Sequence, residues 1–225
     1  MAGAEVVVSS RPERAMLRKY RQPIYDEEKI GNGAATNSLR FFTRPQGQQD
    51  NAAHAKTARD TNMIQSGQLG AKGEFYLVGI SANLDWCIVC TDTMTATANA
   101  ANNETYVMQQ IYTDSLFTYQ FGRGQPLLEV PLDKIPSWTG PYGIIDNNNT
   151  QGVLQFAQVL ANGIPSSREF YDLRLEKGRP HHIQPEQTFL AKITWDNGAI
   201  TVGTASGAEW YRIMVYMIGI LLSSL

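Results

Sequence analysis

Residues 74–81, with the sequence EFYLVGIS, are rich in aromatic and β-branched side chains, as β-strands are. Residues 188–195, TFLAKITW, alternate large apolar side chains with smaller or polar ones. A period of two places every second side chain on the same face of a strand, so that one face can be buried. These two stretches predict a fold built on antiparallel β-sheets.

Stretches of similar character lie on either side of them, separated by clusters of turn residues. Asn197–Gly198 is a strong hairpin signal and predicts that residues 188–195 pair with residues 199–202. Residues 104–112 fit a helix or a strand, and the apolar spacing of residues 153–160 is compatible with a helix. The further predicted strands are residues 85–90, residues 115–121, residues 127–132 at a sheet edge between two prolines, residues 170–175, and residues 210–222, buried on both faces towards their end.

The number and spacing of these strands favour a β-sandwich over parallel βαβ units. We therefore expect an all-β fold, a single antiparallel, eight-stranded jelly-roll sandwich with an extended N-terminal arm. The alternation predicts the following core side chains: Phe75, Leu77, Trp86, Phe189, Ile193, Ile213 and Val215.

The first part of the chain differs in composition from the rest. Residues 1–60 have no sustained apolar period and include the polar run 46–51, so we expect them to gain order from a partner subunit. We place the boundary between residues 60 and 73. The prediction is an extended arm over residues 1–73 and a jelly-roll domain over residues 74–225.

Basic residues are concentrated near the start of this arm, while acidic residues outnumber basic ones from residue 61 onward. As a short helix, residues 13–21 would align arginines three and four positions apart. Such a row suits phosphate groups, so we expect contact with nucleic acid or lipid headgroups, or alternatively with an acidic neighbouring subunit. The predicted residues of this anionic-surface-facing arm are Arg11, Arg14, Arg18, Lys19 and Arg21.

Composition excludes several classes of protein. The chain has 225 residues and a formal net charge of −2, and only 18% of its residues are charged. This low charged fraction suits a protein that buries much of its surface against neighbours, and it equally suits an ordinary neutral β-sandwich. Two cysteines cannot frame a disulfide-stapled secreted domain. Residues 213–222 are apolar but too short to span a membrane as a helix, and no signal peptide is evident. We expect a soluble protein made in the cytoplasm.

No motif predicts a catalytic or metal site. Cys87 and Cys90 have the C-x-x-C spacing, but in a strand they point to opposite faces and lack a second ligand pair. His54, His181 and His182 do not form a ligand cluster. Phosphate-binding and nucleophile motifs are also missing. We expect no enzyme activity, no cofactor and no small-molecule substrate.

Three stretches carry a family resemblance. They are a polar run, residues 60–69, leading into residues 74–80; residues 180–193, with the pattern P-x-x-I-x-P-x-x-x-F; and residues 211–222, ending in IGILL. Together they resemble the small jelly-roll major coat proteins of tailless, often membrane-containing, icosahedral bacteriophages. This chain departs from the family's closing G-I-L-x-R pattern, because Ser223 stands at the position of the basic residue.

The resemblance implies a major capsid subunit that self-assembles into capsomers and resides in the virion. Its expected partners are other copies of the chain, other capsid proteins such as vertex proteins, and the membrane or genome met by the arm. Two alternatives stay open: a minor capsid, decoration or spike protein, and a jelly-roll carbohydrate-active enzyme, which needs two carboxylates facing across a cleft. Fold alone does not decide among them.

Overall fold

The computed structural model describes residues 17–20, 22–31, 35–51, 53–70, 73–88, 110–122, 124–136, 170–201 and 209–224. They form mainly antiparallel β-strands, with 3₁₀ turns at Leu132–Lys134 and Glu176–Gly178 and a helical turn at residues 110–113. The strands are β1 Leu17–Tyr20, β2 Ile24–Gly31, β3 Ala35–Thr36, β4 Ser38–Phe41, β5 Gly73–Ile88, β6 Ser115–Phe121, β7 Pro126–Pro131, β8 Tyr171–Asp172, β9 His181–Ile183, β10 Phe189–Trp195, β11 Ile200–Thr201 and β12 Glu209–Ser224.

Two sheets contain most of these strands. In the first, the long strands β5 and β12 pair at the centre, β1 and β2 lie along the other edge of β12, and β8 and β9 lie along the other edge of β5. The second sheet has the order β4-β10-β6-β7. Strands β3 and β11 form a separate two-stranded ribbon. Every pairing is antiparallel, which confirms the all-β, antiparallel prediction.

One hydrophobic core takes side chains from both sheets. Strands β6 and β10 alternate buried and half-buried residues along their length, as their sequences predict. The side chain of Trp86 lies outside the described residues. The other six predicted core side chains are at most 3% exposed and are confirmed: Phe75, Leu77, Phe189, Ile193, Ile213 and Val215.

The predicted hairpin around Asn197–Gly198 is wrong in its pairing. A turn is present, with Gly198 at a φ of 120°, but the strand after it, β11, pairs with β3. Strand β10 already has β4 on one side and β6 on the other, so neither of its edges is free for β11. The closing strand also differs from the prediction, because residues 218–222 are half-buried, not buried on both faces.

The N-terminal region differs most from the sequence prediction of an arm over residues 1–73. Strand β2 pairs with β12 in the first sheet, and β4 pairs with β10 in the second. The core includes side chains from this region: Ile24, Ile30, Leu39, Phe41, Phe42 and Met63. Over its described part from residue 24, the region thus belongs to the same two sheets as residues 74–225. The predicted strands 85–90 and 74–81 are also joined, since β5 runs through both as far as Ile88.

Candidate functional site

Strand β1 contains two of the predicted basic residues, Arg18 and Lys19. Its backbone pairs with the end of β12, Leu17 opposite Ser224 and Tyr20 opposite Leu221. Over these residues the chain is a strand and not the short helix that would align the arginines, because the edge of β12 supplies backbone partners to an extended chain. Arg11, Arg14 and Arg21 lie outside the described residues.

Strands β1 and β2 keep one register along β12. Tyr20 faces Leu221 and Ile24 faces Met217, so three residues separate the paired positions on each strand. Pro23, in the interruption, has no N–H to donate to a sheet, and its carbonyl accepts a hydrogen bond from Asn62 Nδ2 at 2.8 Å. Strand β1, with Arg18 and Lys19, therefore continues the edge that β2 forms along β12.

The inward face of β2 contains an unexpected pair of acids. Ile24, Asp26, Glu28 and Ile30 alternate along this face and all are buried. The two isoleucines belong to the hydrophobic core, whereas Asp26 and Glu28 place carboxylates inside the protein with no exposure to solvent. A buried carboxylate is costly unless it is paired and hydrogen-bonded.

Cations from the segment after β4 pair with both acids. Lys56 Nζ lies 2.7 Å from Asp26 Oδ1 and 2.7 Å from Glu28 Oε1, and the lysine side chain is only 1% exposed. Arg44 NH1 lies 2.9 Å from Glu28 Oε2. We call Asp26, Glu28, Arg44 and Lys56 the buried ionic cluster. Its formal charges balance, two negative against two positive.

Backbone amides orient the carboxylates of the buried ionic cluster. The N–H of Phe42 donates to Asp26 Oδ2 at 2.5 Å, and the N–H of Asn51 donates to Glu28 Oε2 at 3.1 Å. Phe42 adopts a φ of 67°, which is uncommon for a bulky residue and marks a constrained turn directly after β4. The chain thus accepts an unfavourable backbone conformation where it bonds Asp26.

Burial raises the pKa values of both acids, although the Lys56 ammonium opposes the rise at each of them. Removing a carboxylate from water disfavours its charged form, and this effect outweighs the neighbouring cations here. The buried ionic cluster therefore holds an amine and two carboxyl groups in contact, and burial makes both acids harder to ionise than they are in water.

The outward face of β2 contains a second set of charges. Glu27 is 2% exposed and lies 3.5 Å from Arg212 Nε and 3.6 Å from Lys29 Nζ. Lys29 Nζ is also 3.5 Å from Asp50 Oδ2. Burial raises the pKa of Glu27 to about 7, because these longer ion pairs only partly compensate for lost hydration.

The segment 42–70 closes over the free edge of β2. Asn62 donates its N–H to the carbonyl of Tyr25 at 3.3 Å, and its Oδ1 accepts from the N–H of Tyr25 at 2.9 Å. Thr61, which is fully buried, donates its hydroxyl to the same carbonyl. These bonds satisfy the backbone N–H and carbonyl of Tyr25 on the edge of β2 that β12 does not cover.

The histidines lie apart from the buried ionic cluster. His182 stacks on Tyr76 with ring centroids 4.6 Å apart, and its Nε2 is 3.2 Å from Glu74 Oε2. His181 meets the ring of Phe121 edge-on, and burial lowers its pKa. His54 is exposed on the segment 42–70. In the part of the chain that the structure describes, no group of three or more His, Cys, Asp or Glu residues could hold a metal ion.

The other sequence motifs are only partly covered. Cys87 belongs to β5, where its backbone pairs with Trp210, and Cys90 lies outside the described residues. Sequence reasoning missed the buried ionic cluster because Asp26, Glu27 and Glu28 follow one another and resemble a solvated polar run. The available signal was the isoleucines at positions 24 and 30, which bracket the acids with a period of two.

Comparisons of the chain with protein-family models, with curated proteins and with solved structures found no match. Among the described residues, no helix has the length and apolar character needed to cross a membrane.

Proposed function

We propose that this chain is the major coat subunit of an icosahedral bacteriophage shell, with a jelly-roll body that self-assembles into capsomers. The observation that carries the proposal is the order of strands in the two sheets. The sequence resemblance to coat proteins of tailless phages supports the same function. The chain acts as a structural virion protein, with no enzyme activity and no cofactor.

The jelly-roll assignment follows from eight principal strands, counted in chain order as β2, β4, β5, β6, β7, β9, β10 and β12. The first sheet contains the first, eighth, third and sixth of them side by side, and the second sheet contains the second, seventh, fourth and fifth. The chain crosses between the sheets so that its first and last strands are neighbours. This is the order expected of a double Greek key, the jelly roll.

The eight strands of the proposed jelly roll include β2 and β4, which the sequence analysis assigned to the arm. The jelly roll therefore begins near Ile24, and the arm is limited to the residues before it. In this assignment the arm joins the body at β1, whose backbone pairs with the end of β12 at the edge of the first sheet. A segment attached at a sheet edge is well placed to extend to a neighbouring subunit.

The basic residues of the arm are proposed to meet an anionic surface, a viral membrane or the packaged genome, on the inner side of the shell. A single helical stripe of arginines is not required for such contact, and Arg18 and Lys19 belong to the strand β1. Phosphate contacts depend on the number of cations more than on their alignment. Other copies of the chain and vertex proteins are the proposed protein partners.

Salt-dependent binding tests this assignment of the arm. A variant with Arg11, Arg14, Arg18, Lys19 and Arg21 changed to Gln is expected to lose affinity for DNA or anionic liposomes at low salt. The matched control changes five exposed basic residues of the body to Gln: Arg40, Arg59, Lys134, Lys177 and Arg179. Equal loss in both variants would contradict a specific role for the arm, as would an absence of binding by the unmodified protein.

Sedimentation velocity tests the proposed assembly before any particle is imaged. The unmodified protein is expected to form discrete oligomers larger than one chain. The relative amounts of these oligomers should be the same in independent preparations. A single species of one chain at every concentration would contradict the proposal. In particles from the natural source, a copy number of a few per virion would indicate a minor capsid or spike protein instead.

A further inference from the structure

The side chain of Lys56 lies between two carboxyl groups in the protein interior. Its Nζ is 2.7 Å from Asp26 Oδ1 and 2.7 Å from Glu28 Oε1. Lys56 is 1% exposed, and neither acid is exposed. An amine held in contact with the oxygen of a carboxyl group, and buried together with it, is a candidate nucleophile for the carbon of that group.

We propose that Lys56 and Asp26 become joined by an intramolecular isopeptide bond that the chain forms without any other enzyme, with Glu28 transferring the protons. The bond links Lys56 Nζ to Asp26 Cγ. It ties β2 to the segment that follows β4. This inference does not depend on the proposed coat function.

The reaction is a condensation, and its atoms balance within the three side chains. Lys56 begins as an ammonium with three N–H hydrogens, and Asp26 begins as a carboxylate. The new bond is Cγ–Nζ, and the bond that breaks is Cγ–Oδ1. Two of the three hydrogens leave with Oδ1 as water, and one remains on the amide nitrogen. No oxidant, reductant or further reactant takes part.

Glu28 is positioned to carry the protons. Its Oε1 contacts the nitrogen that must lose them, and the same nitrogen contacts Oδ1 of Asp26, the oxygen that must receive them. A carboxylate can take a proton from the attacking amine and return it to the leaving oxygen. Burial raises the pKa of Glu28, which suits a group that must hold a proton during the reaction.

The N–H of Phe42 is placed to stabilise the intermediate. It donates to Asp26 Oδ2, the oxygen that does not leave, at 2.5 Å. When the amine attacks Cγ, negative charge develops on Oδ2, and a fixed backbone donor aimed at that oxygen lowers the barrier. Phe42, which supplies this N–H, adopts the uncommon φ of 67°.

Burial also favours the product. Amide formation from an ammonium and a carboxylate is opposed in water, because both ions lose their hydration. Here the folded protein has already removed both ions from water, so their conversion to a neutral amide relieves that cost. The remaining charges, Glu28 and Arg44, form their own pair at 2.9 Å and stay balanced.

The neighbouring lysine of β2 provides a contrast within the same protein. Lys29 Nζ lies 3.6 Å from Glu27 and 3.5 Å from Asp50, and its side chain is 22% exposed. At those distances, and with access to water, it forms ordinary ion pairs. Among the lysine side chains that the structure describes, Lys56 alone combines contact with a carboxyl group, burial and a second carboxyl group able to carry protons.

Intact mass spectrometry of the full chain under denaturing conditions tests the proposal. The expected mass is lower than the mass calculated from the sequence by one water molecule. Trypsin should then release a branched peptide in which residues 22–29 are joined to residues 41–59, since a modified Lys56 is not cleaved. The full calculated mass, after prolonged incubation of the folded protein, would overturn the proposal. So would a water loss that maps to a single unbranched peptide.

Three variants separate the roles of the residues. Lys56→Arg and Glu28→Gln are expected to show the full mass, the first because guanidinium is a poor nucleophile and the second because a proton carrier is lost. Lys29→Arg, the matched control, should keep the water loss. A folded Glu28→Gln protein that still loses water would overturn the role of Glu28 in proton transfer. If a variant fails to fold, the branched peptide of the unmodified chain still identifies the bond.

Discussion

Gly219 lies so close to Tyr76 that a Cβ at position 219 would be 2.2 Å from the carbonyl oxygen of Tyr76. The same Cβ would be 2.8 Å from the ring of Phe75, a core side chain. The contact occurs where the pairing of β5 and β12 shifts register, between Ile218 and Gly219, and Val78 of β5 has no opposite residue. Only glycine allows the two central strands to approach this closely.

Gly219→Ala is therefore expected to destabilise the protein by about 1–3 kcal/mol or more, because the backbone of β5 must move. Gly124→Ala is the matched control, since nothing lies within 4 Å of a Cβ at that position. Denaturant unfolding followed by circular dichroism measures both. Equal stability of the two variants would contradict the close approach of β12 to β5 at this bulge.

Phe41→Ala tests whether β4 belongs to the folded core. Phe41 is fully buried, and its loss is expected to cost about 3–5 kcal/mol in the free energy of unfolding. Arg40→Ala, one residue earlier on the exposed face of the same strand, should change that free energy by less than about 0.5 kcal/mol. If Phe41→Ala were as mild as Arg40→Ala, residues 38–41 would lie outside the core.

Truncation separates the arm from the body. Removing residues 1–40 takes away β2 and nearly all of β4, and thus strands from both sheets, so the product is expected to unfold. Removing residues 1–16 leaves every described strand in place and should preserve the β-sheet circular dichroism spectrum. A folded, protease-resistant product from the longer truncation would show that the body begins near residue 73, as its composition suggests.

Glu27 is expected to make stability fall with rising pH. Its carboxyl ionises near its usual pKa of 4.5 in the unfolded chain but only at a pKa of about 7 in the folded one. Between these values the folded state binds more protons, so its stabilising contribution is complete below about pH 4.5 and is lost above about pH 7. The loss is at most about 3 kcal/mol.

Urea unfolding of Glu27→Gln from pH 5 to pH 8 measures this contribution. The variant should show a shallower decline than the unmodified protein, with some decline left because burial raises the pKa values of Asp26 and Glu28 as well. Glu129→Gln, on the exposed face of β7, is the control and should leave the slope unchanged. Identical slopes in all three proteins would contradict a raised pKa at Glu27.

Sequence reasoning was most accurate where alternation was undisturbed. Residues 115–121 coincide with β6, and residues 188–195 differ from β10 by one residue, because their inward positions are all apolar or aromatic except Ser115. It failed at β2, where Asp26 and Glu28 occupy inward positions that a hydrophobic pattern assigns to apolar residues. Burial of these two carboxylates depends on their ion pairs with Lys56 and Arg44, which are distant in sequence and become neighbours only in the fold.

The pairing of the short strands could not be predicted from the sequence for a related reason. Nothing local indicates that Leu17–Tyr20 is extended, since its partner is the last strand of the chain. The turn at Asn197–Gly198 was recognised from the sequence. Which strand the following residues pair with depends on the edges already occupied around β10. Long-range competition for sheet edges decides both cases.

Electron microscopy of the purified protein shows directly whether this chain assembles into a shell. Under conditions that vary salt and protein concentration, negative-stain images are expected to show regular capsomers or closed shells built from this chain alone. Single, monodisperse chains under every condition, with no ordered particle, would contradict the assignment of this protein as a self-assembling coat subunit.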